Sequence, residues 1–409
     1  MIYVNKSIPV PPILNADRKI RIFLSTGEVS GDLIGANLAR ALRAAHSDVV
    51  LSGVGGTRME EAGVDVFFKS NHLGTVGIGE AFAAIPDVLK SFKRIRSHML
   101  EYKPDLAILI GHDAFHLVLS HWLMAKKILT VSYFPPQVWL WRGIVKMIAR
   151  SYDWILTSFV EEELVYRQAG ARTSFVGHYL RDQIEEISLE RKAEARQSQG
   201  IRFGGSVIGL FPGSRFHELD RLTPLFLDTA RRMIGADPSI RFILPVADDV
   251  FLTQIKGMID RAALKDRVYL TTDSREAMAA CDLVILCSGT VTLEAALMGL
   301  PMIIIYQAAW STWVTVRVLD ATGFIESKTA GLPNLLVGKK IVPEMIQSEA
   351  LASRVADEAF NIIHDPAGQA RMRRNLRSVK TQLGEKGVGE RAARLIIDRA
   401  VGVAGRKDY

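Results

Sequence analysis

Short, almost continuously apolar runs recur along the chain, and each ends in a loop before a stretch with helical spacing begins. Ile20–Ser25, Asp105–Ile110 and Leu129–Tyr133 are runs of this kind in the first half. Strands that are apolar on both faces are typical of a parallel sheet that helices cover on each side. The alternation therefore predicts an α/β protein.

The same pattern restarts after the charged, helical segment 185–199, which predicts a domain boundary there. Ser206–Phe211 opens the second series of strands. With 409 residues, of which 48% are hydrophobic, the chain has enough apolar material for two cores. We predict two Rossmann-type, doubly wound domains, 1–185 and 186–409. The helical, basic segment after Ala350 leaves open whether its last helices return to the first domain.

The bulk composition excludes several classes of protein. The formal net charge is +7, and no aromatic-interleaved basic patch accompanies it, so nucleic acid is not an expected partner. Two cysteines, Cys281 and Cys287, do not make a disulfide framework, and they lack the spacing of metal ligands, so no metal is expected.

No apolar stretch has the length of a membrane span, which predicts a soluble or peripheral protein. The basic residues of 371–380 are either a solvated helix face or a surface for anionic lipid headgroups or a phosphorylated substrate.

One loop of the second domain follows the strand Ser206–Phe211 and begins a helix. Its glycine turn can present backbone N–H groups to an anion, and its arginine can hold a phosphate oxygen at two points. The residues concerned are Gly213, Ser214, Arg215 and, shortly after them, Glu218. A simple turn is the alternative interpretation.

A second loop follows the apolar run Leu283–Cys287. Ser288, Gly289 and Thr290 can donate to a diphosphate, and Glu294 lies one helical turn further on, where it can accept from ribose hydroxyls. An ordinary capped helix start is the alternative. Because ligands bind beyond the carboxyl ends of parallel strands, the two loops together predict a nucleotide diphosphate site in the second domain.

Two loops of the first domain carry acidic residues after a predicted strand. The loop 27–32 has glycines for a tight turn, and its acidic residues suit a hydroxyl-bearing ligand such as a sugar better than a phosphate. Asp113 can remove a proton from an attacking hydroxyl. Turn chemistry is the alternative for the first loop, and a helix cap is the alternative for Asp113. The aromatic segment 133–142 suits a sugar face, a membrane surface or a core.

The order and spacing of eight motifs resemble those of the lipid-A-disaccharide synthase family over about residues 21 to 350. The motifs are G-E-x-S-G-D at 27–32, G-V-G-G-x-R-M at 53–59, G-x-D-A at 111–114, V-W-x-W-R at 138–142, F-V-G-H at 175–178, P-G-S-R-x-x-E at 212–218, S-G-T-x-T-L-E at 288–294 and L-P-N-L-L-x-G at 332–338. The resemblance implies a GT-B-like pair of Rossmann domains that face a central cleft, and an inverting glycosyl transfer without metal or cofactor.

The resemblance also implies the reactants. The donor would be UDP-2,3-diacylglucosamine, the acceptor 2,3-diacylglucosamine 1-phosphate, and the products UDP and the β-1,6-linked lipid A disaccharide. The implied location is the cytoplasm, with the protein peripheral on the inner face of the cytoplasmic membrane. A homodimer stays open as the assembly.

Mapped onto this chain, the resemblance implies Asp113 as the base on the 6-hydroxyl of the acceptor. Arg215 would stabilise the charge on the leaving diphosphate, Glu294 would hold ribose, and Asn334 would complete the donor site. The implied acceptor and lipid side comprises Gly27, Glu28, Ser30, Gly31, Asp32, Leu73, Val76, Ile78, Trp139, Trp141 and Arg142.

The chain departs from the family pattern beside Asp113. Where the family reads G-I-D-A-P-D-F-N, residues 111–118 read G-H-D-A-F-H-L-V, so the second acid and the asparagine are replaced. Residues 135–141 read P-P-Q-V-W-L-W, where the family has S-P-S-V-W-A-W. These changes lie on the acceptor side and leave two alternatives: a paralogue that uses another acceptor, and a non-catalytic homologue that binds a UDP-sugar or lipid. A UDP-sugar epimerase shares the fold but not this motif series.

Overall fold

The computed structural model describes residues 19–27, 29–69, 81–111, 114–138, 142–201, 204–246, 248–307 and 329–407. They form two compact units. One contains the described residues up to Asp182 together with those from Glu385 onward, and the other is Gln183–Gly384. Each unit is built around a parallel β-sheet, so the predicted class, α/β with two Rossmann-type domains, is confirmed.

Seven strands form the sheet of the first unit within its described residues. They are β1 (Ile20–Thr26), β2 (Val49–Gly55), β3 (Asp65–Lys69), β4 (Leu106–Ile110), β5 (Leu129–Tyr133), β6 (Trp154–Thr157) and β7 (Thr173–Phe175). Their order is β3-β2-β1-β4-β5-β6-β7, and all pairs are parallel. The order reverses between β1 and β4, because β2 and β3 are added on one side of β1 and the later strands on the other.

Helices connect these strands and cover the buried central ones, whereas the edge strands β3 and β7 are only partly buried. They are α1 (Val29–Ala45), α2 (Thr57–Glu61), α3 (Ala81–Tyr102), α4 (Ala114–Ala125), α5 (Val145–Arg150) and α6 (Val160–Gln168). All five residues of β4 are buried, as expected of a central strand in a sheet covered on both faces. The core of this unit joins α1 to the strands and also includes the last helix of the chain.

Six strands form the sheet of the second unit as far as the structure describes it. They are β8 (Val207–Phe211), β9 (Arg241–Pro245), β10 (Val268–Thr271), β11 (Leu283–Cys287), β12 (Met302–Tyr306) and β13 (Glu344–Ile346). Their order is β10-β9-β8-β11-β12-β13, again entirely parallel. Here the order reverses between β8 and β11.

The helices of the second unit are α7 (Leu189–Ser198), α8 (Phe216–Ala236), α9 (Leu252–Arg261), α10 (Ser274–Ala280), α11 (Val291–Leu297), α12 (Leu332–Val337), α13 (Ala352–His364) and α14 (Pro366–Gln382). The basic helix α14 packs on α11 and α12. The last helix, α15 (Val388–Lys407), belongs to the first unit and packs on α1. Among the helices that the structure describes, none combines the length and the apolar character needed to cross a bilayer.

Candidate active site

The two donor loops predicted from the sequence begin at neighbouring strand ends. β8 and β11 pair directly, with Phe211 opposite Leu286, and they flank the point where the strand order reverses. Ligands of open α/β sheets bind in the crevice outside the carboxyl ends of the strands at this point. The fold of the second unit therefore brings the loop after Phe211 and the loop after Cys287 to one place.

The turn after β8 is shaped by the carboxylate of Glu218. Its Oε2 atom accepts hydrogen bonds from the backbone N–H groups of Ser214 at 3.0 Å and Arg215 at 3.2 Å. Gly213 has φ +122°, and a Cβ there would lie 2.3 Å from the same oxygen, so this position requires glycine. Glu218 thus occupies the N–H groups that the sequence offers to a phosphate.

Arg215 provides the positive charge of this turn. Its side chain is 71% exposed and its Nη1 atom lies 3.3 Å from Oε1 of Glu218. An ion pair that is this exposed is weak, so the guanidinium can turn towards a phosphate at little cost. The exposed Arg215 side chain is thus free to rotate, while Glu218 fixes the turn beneath it.

In the loop after β11, some hydrogen-bond donors have an acceptor in the protein and others do not. The Ser288 hydroxyl donates to the carbonyl of Ala330, and the Ser288 N–H donates to the carbonyl of Ile305 at 3.1 Å. A hydroxyl has a single proton, so Ser288 has no further donor for a diphosphate. In the described parts of the chain, no group accepts from the N–H of Gly289 or Thr290, and no atom lies within 4 Å of a Cβ built on Gly289. These two N–H groups are therefore available to donate hydrogen bonds to the oxygen atoms of a ligand.

Glu294 lies one turn into α11 beside a cation. Burial raises the pKa of Glu294 above its usual value, and the neighbouring Arg275 opposes this shift. The Nε atom of Arg275 lies 3.5 Å from Oε2 of Glu294, and its Nη2 atom donates to Gln183 Oε1 at 2.7 Å. Arg275 lies outside the sequence motifs, on α10, and it contacts Glu294 only in the folded structure. Sequence reasoning therefore missed it.

Asn334, predicted as a donor-site residue, is buried, with 1% of its surface exposed. Its Nδ2 atom donates to Val342 O at 2.9 Å and Glu344 Oε1 at 2.6 Å. Its Oδ1 atom accepts from the N–H groups of Ile341 at 2.6 Å and Val342 at 3.0 Å. A primary amide has two N–H groups and two lone pairs, so this side chain is fully engaged within its own unit.

The first unit also places predicted residues at its strand reversal. The loops 27–32 and 111–114 follow β1 and β4, which pair directly. Gly31 lies so close to the Thr26 side chain that a Cβ would lie 1.8 Å from Oγ1. Asp32 is buried and accepts from the N–H groups of Gly56 at 2.7 Å, Arg58 at 3.1 Å and Met59 at 3.2 Å. Both Gly31 and Asp32 lie in the first turn of α1, which begins at Val29. Gly27 is buried directly after β1, and Ser30 is exposed.

His116 stands where the family pattern has its second acid. Its Nε2 atom lies 3.0 Å from the Ser25 hydroxyl, and both side chains are buried. The hydrogen bond joins the end of β1 to the first turn of α4. A histidine and a serine hydroxyl therefore stand where the family pattern has a carboxylate, at the strand reversal of the first unit.

The F-V-G-H motif ends in a histidine that is enclosed by aromatic rings. His178 contacts Phe134, Phe159 and Tyr179, with ring centroids 4.8 to 5.4 Å apart. Burial lowers the pKa of His178 to about 3, so the ring is neutral at physiological pH. It is a packing residue of the first unit.

Several predicted residues lie outside the described residues: Glu28, Leu73, Val76, Ile78, Asp113, Trp139 and Trp141. Arg142 begins a short 3-10 turn and is exposed. Within the part of the chain that the structure describes, no group of three or more His, Cys, Asp and Glu side chains is arranged to hold a metal.

Comparison with known proteins identifies the family. The model of the lipid-A-disaccharide synthetase family matches residues 22–396. The chain belongs to this family. The lipid-A-disaccharide synthase of Geobacter sulfurreducens is 37% identical over 92% of this chain and 97% of that protein. The enzyme of the same name from Pseudomonas aeruginosa strain UCBPP-PA14 is 37% identical over 86% of this chain and 91% of that protein.

Solved structures of other proteins share the fold of this chain. UDP-GlcNAc 2-epimerase from Neisseria meningitidis, bound to UDP-GlcNAc, is 10% identical with a TM-score of 0.61, over 94% of this chain and 100% of that chain. Anabaena Alr3699/HepE, in complex with UDP and glucose, is 17% identical with a TM-score of 0.54, over 93% and 99%. Identities this low show the fold only. The expected lipid-A-disaccharide synthase, a glycosyltransferase, is confirmed through the family.

Proposed function

We propose that this chain transfers 2,3-diacylglucosamine from UDP-2,3-diacylglucosamine to 2,3-diacylglucosamine 1-phosphate and releases UDP. The observation that supports this most is the meeting of the two donor loops at the strand reversal of the second unit, in a member of this family. The relatives are named for this synthase activity. The structures in complex with UDP or UDP-GlcNAc share the fold.

The donor half of the reaction is proposed for the second unit. UDP would place its diphosphate between the exposed guanidinium of Arg215 and the N–H groups of Gly289 and Thr290, and its ribose against Glu294. As the bond between the anomeric carbon and the diphosphate breaks, its electron pair moves to the diphosphate oxygen. A cation and N–H groups that point at this oxygen stabilise the developing charge.

The acceptor half is proposed for the first unit. Asp113 would take the proton of the 6-hydroxyl while that oxygen attacks the anomeric carbon from the face opposite UDP, which inverts the configuration. The supporting observation is the position of the G-x-D-A motif, directly after β4 at the strand reversal. A base in such a position contributes about 10²- to 10⁴-fold to a rate.

The acylated substrates imply contact with a membrane surface, and we propose that the chain is peripheral on the cytoplasmic face of the inner membrane. The helices α5 and α6 pack together and leave Met147 and Leu164 about half exposed. Lys146 precedes Met147, and Arg142 begins the turn before α5; both are exposed. Apolar and basic side chains in this combination favour anionic lipid headgroups.

A direct assay with both diacylglucosamine substrates tests the proposal by measuring UDP and disaccharide. Asp113→Asn removes the base at constant size, so disaccharide formation is expected to fall about 100-fold or more while UDP still binds. Arg215→Ala is expected to raise the Kd of UDP about tenfold. Arg231→Ala, an exposed arginine on the same helix as Glu218, is the matched control. Unchanged UDP affinity in Arg215→Ala would show that the donor site is misassigned.

A second function, transfer to a different acceptor, is favoured by the buried pair of His116 and Ser25. A histidine stands in place of a family carboxylate on the acceptor side, whereas the donor motifs are retained. A panel of acylated and non-acylated acceptors in the same assay distinguishes the two functions. Turnover of another acceptor, with none of the 1-phosphate, would support this second function.

A further inference from the structure

The carboxylate of Glu344 accepts three hydrogen bonds beside the donor loops. Glu344 is the first residue of β13, and its carboxylate accepts from the N–H groups of Ala330 at 2.9 Å and Gly331 at 3.1 Å. The third donor is Asn334 Nδ2, at 2.6 Å from Oε1. An ionised carboxylate only accepts hydrogen bonds, so it suits three convergent donors in a way that no neutral side chain does.

The chain at Ala330 connects this carboxylate to the loop after β11. Its N–H donates to Glu344, and its carbonyl accepts from the Ser288 hydroxyl. The approach is close, because a Cβ on Gly331 would lie 2.8 Å from Glu344 Oε1 and 2.3 Å from the Ile304 side chain. A side chain at 331 would therefore displace the Ile304 side chain or the Glu344 carboxylate from these positions.

Asn334 fixes Glu344 in turn. Its amide oxygen accepts from Ile341 and Val342, while its Nδ2 atom donates to Val342 O and to the carboxylate. Hydrogen bonds of this kind on a charged side chain restrict its rotamer and hold the groups that it contacts. A path of hydrogen bonds therefore runs from Asn334 through Glu344 and Ala330 to Ser288.

From this path we infer that Glu344 is a positioning residue of the donor site, which rests on the donor site proposed above. Glu344 does not contact the donor in this arrangement; it holds Ala330, which takes the only proton of the Ser288 hydroxyl. With Ser288 fixed on both its hydroxyl and its N–H, the following N–H groups of Gly289 and Thr290 stay directed at the diphosphate.

The substitution Glu344→Gln tests the inference. Glutamine has one acceptor oxygen for three donors, so at least one donor loses its partner and the segment 329–331 shifts. We expect the Kd of UDP and the KM of the donor to rise about tenfold, with the KM of the acceptor unchanged and kcat at saturating donor within about threefold. Glu349→Gln, an exposed glutamate five residues further on, is the control, and circular dichroism checks that each variant is folded.

A double-mutant cycle separates positioning from a general loss of stability. Ser288→Ala cuts the same path at its other end, so its effect and that of Glu344→Gln on UDP affinity are expected not to multiply when combined. Independent effects, or an unchanged Kd in Glu344→Gln, overturn the inference. If Glu344→Gln does not fold, Ser288→Ala must raise the Kd at least about threefold. A wild-type chain that binds no UDP overturns the proposed function itself.

Discussion

Burial and a neighbouring cation have opposite effects on the pKa of Glu294, and they determine how UDP binding is expected to depend on pH. Burial raises the pKa of this carboxyl, and Arg275 restrains the shift. In the proposed donor site, ribose hydroxyls would donate to the ionised form, so UDP affinity is expected to fall on acidification at a higher pH than an ordinary glutamate would give. Calorimetric titration with UDP from pH 5 to pH 8 measures this. Glu294→Gln is expected to bind about tenfold more weakly at pH 8, with little dependence on pH.

Arg275 provides the control for that experiment. Arg275→Met removes the positive charge beside Glu294, so the loss of UDP affinity is expected to move to higher pH. A wild-type profile identical to that of Glu294→Gln would contradict the ribose role, whereas an unshifted Arg275→Met profile would contradict the coupling between the two side chains.

The turn after β8 could be predicted from the sequence, but several hydrogen-bond partners around the proposed donor site could not. Gly213 and Arg215 belong to one short motif, so their turn is a local property. Asp32 accepts from the N–H groups of Gly56, Arg58 and Met59, and Asn334 donates to Glu344, because the fold brings separate segments together. Nothing in a local pattern distinguishes a carboxylate that faces a ligand from one that faces a backbone N–H group.

At the scale of elements, Glu162 shows how the start of a helix can hold a buried carboxyl. It lies in the first turn of α6 and accepts from the N–H of Ser158 at 3.2 Å. Burial raises the pKa of Glu162 well above its usual value. A raised carboxyl pKa means that the folded state favours the protonated form, so its contribution to stability is present at low pH and lost as the pH rises through that pKa.

Glu162→Gln removes this titration while keeping an oxygen for the backbone donor. The wild type is therefore expected to lose stability relative to the variant as the pH rises from 5 to 9, and urea unfolding at a series of pH values measures the difference. Glu161→Gln, an exposed neighbour on α6, is expected to leave the wild-type trend in place. A constant difference between wild type and Glu162→Gln at all pH values would contradict this account.

Strands were more predictable than helix starts. The apolar runs of β4 and β11 match the buried strands because burial on both faces selects for them. The first helix was expected from about Asp32, yet α1 begins at Val29. The reason is that the Asp32 carboxylate binds the start of α2 instead of capping α1, and that Gly31 lets the chain pass against Thr26.

On the scale of the whole molecule, the last helix belongs with the first unit although the second unit separates them in sequence. Val388, Ala392 and Ile396 on α15 are fully buried in the core that contains α1 and β1. Spacing predicts the apolar face of such a helix, but not which sheet covers it, because either domain offers a hydrophobic surface. The placement of α15 therefore depends on tertiary packing.

Ile396→Ala tests how much the first unit depends on this final helix. Removing a fully buried isoleucine leaves a cavity, so the free energy of unfolding of the first unit is expected to fall by about 2–5 kcal/mol. Arg394→Ala, exposed on the same helix, is expected to change it by less than about 0.5 kcal/mol. Because the donor loops and their core lie in the second unit, UDP affinity under folding conditions is expected to match the wild type in both variants. Urea unfolding followed by tryptophan fluorescence, together with UDP titration, measures both properties. A loss of UDP affinity in Ile396→Ala without loss of stability would mean that α15 acts on the donor site and not as a part of the first core.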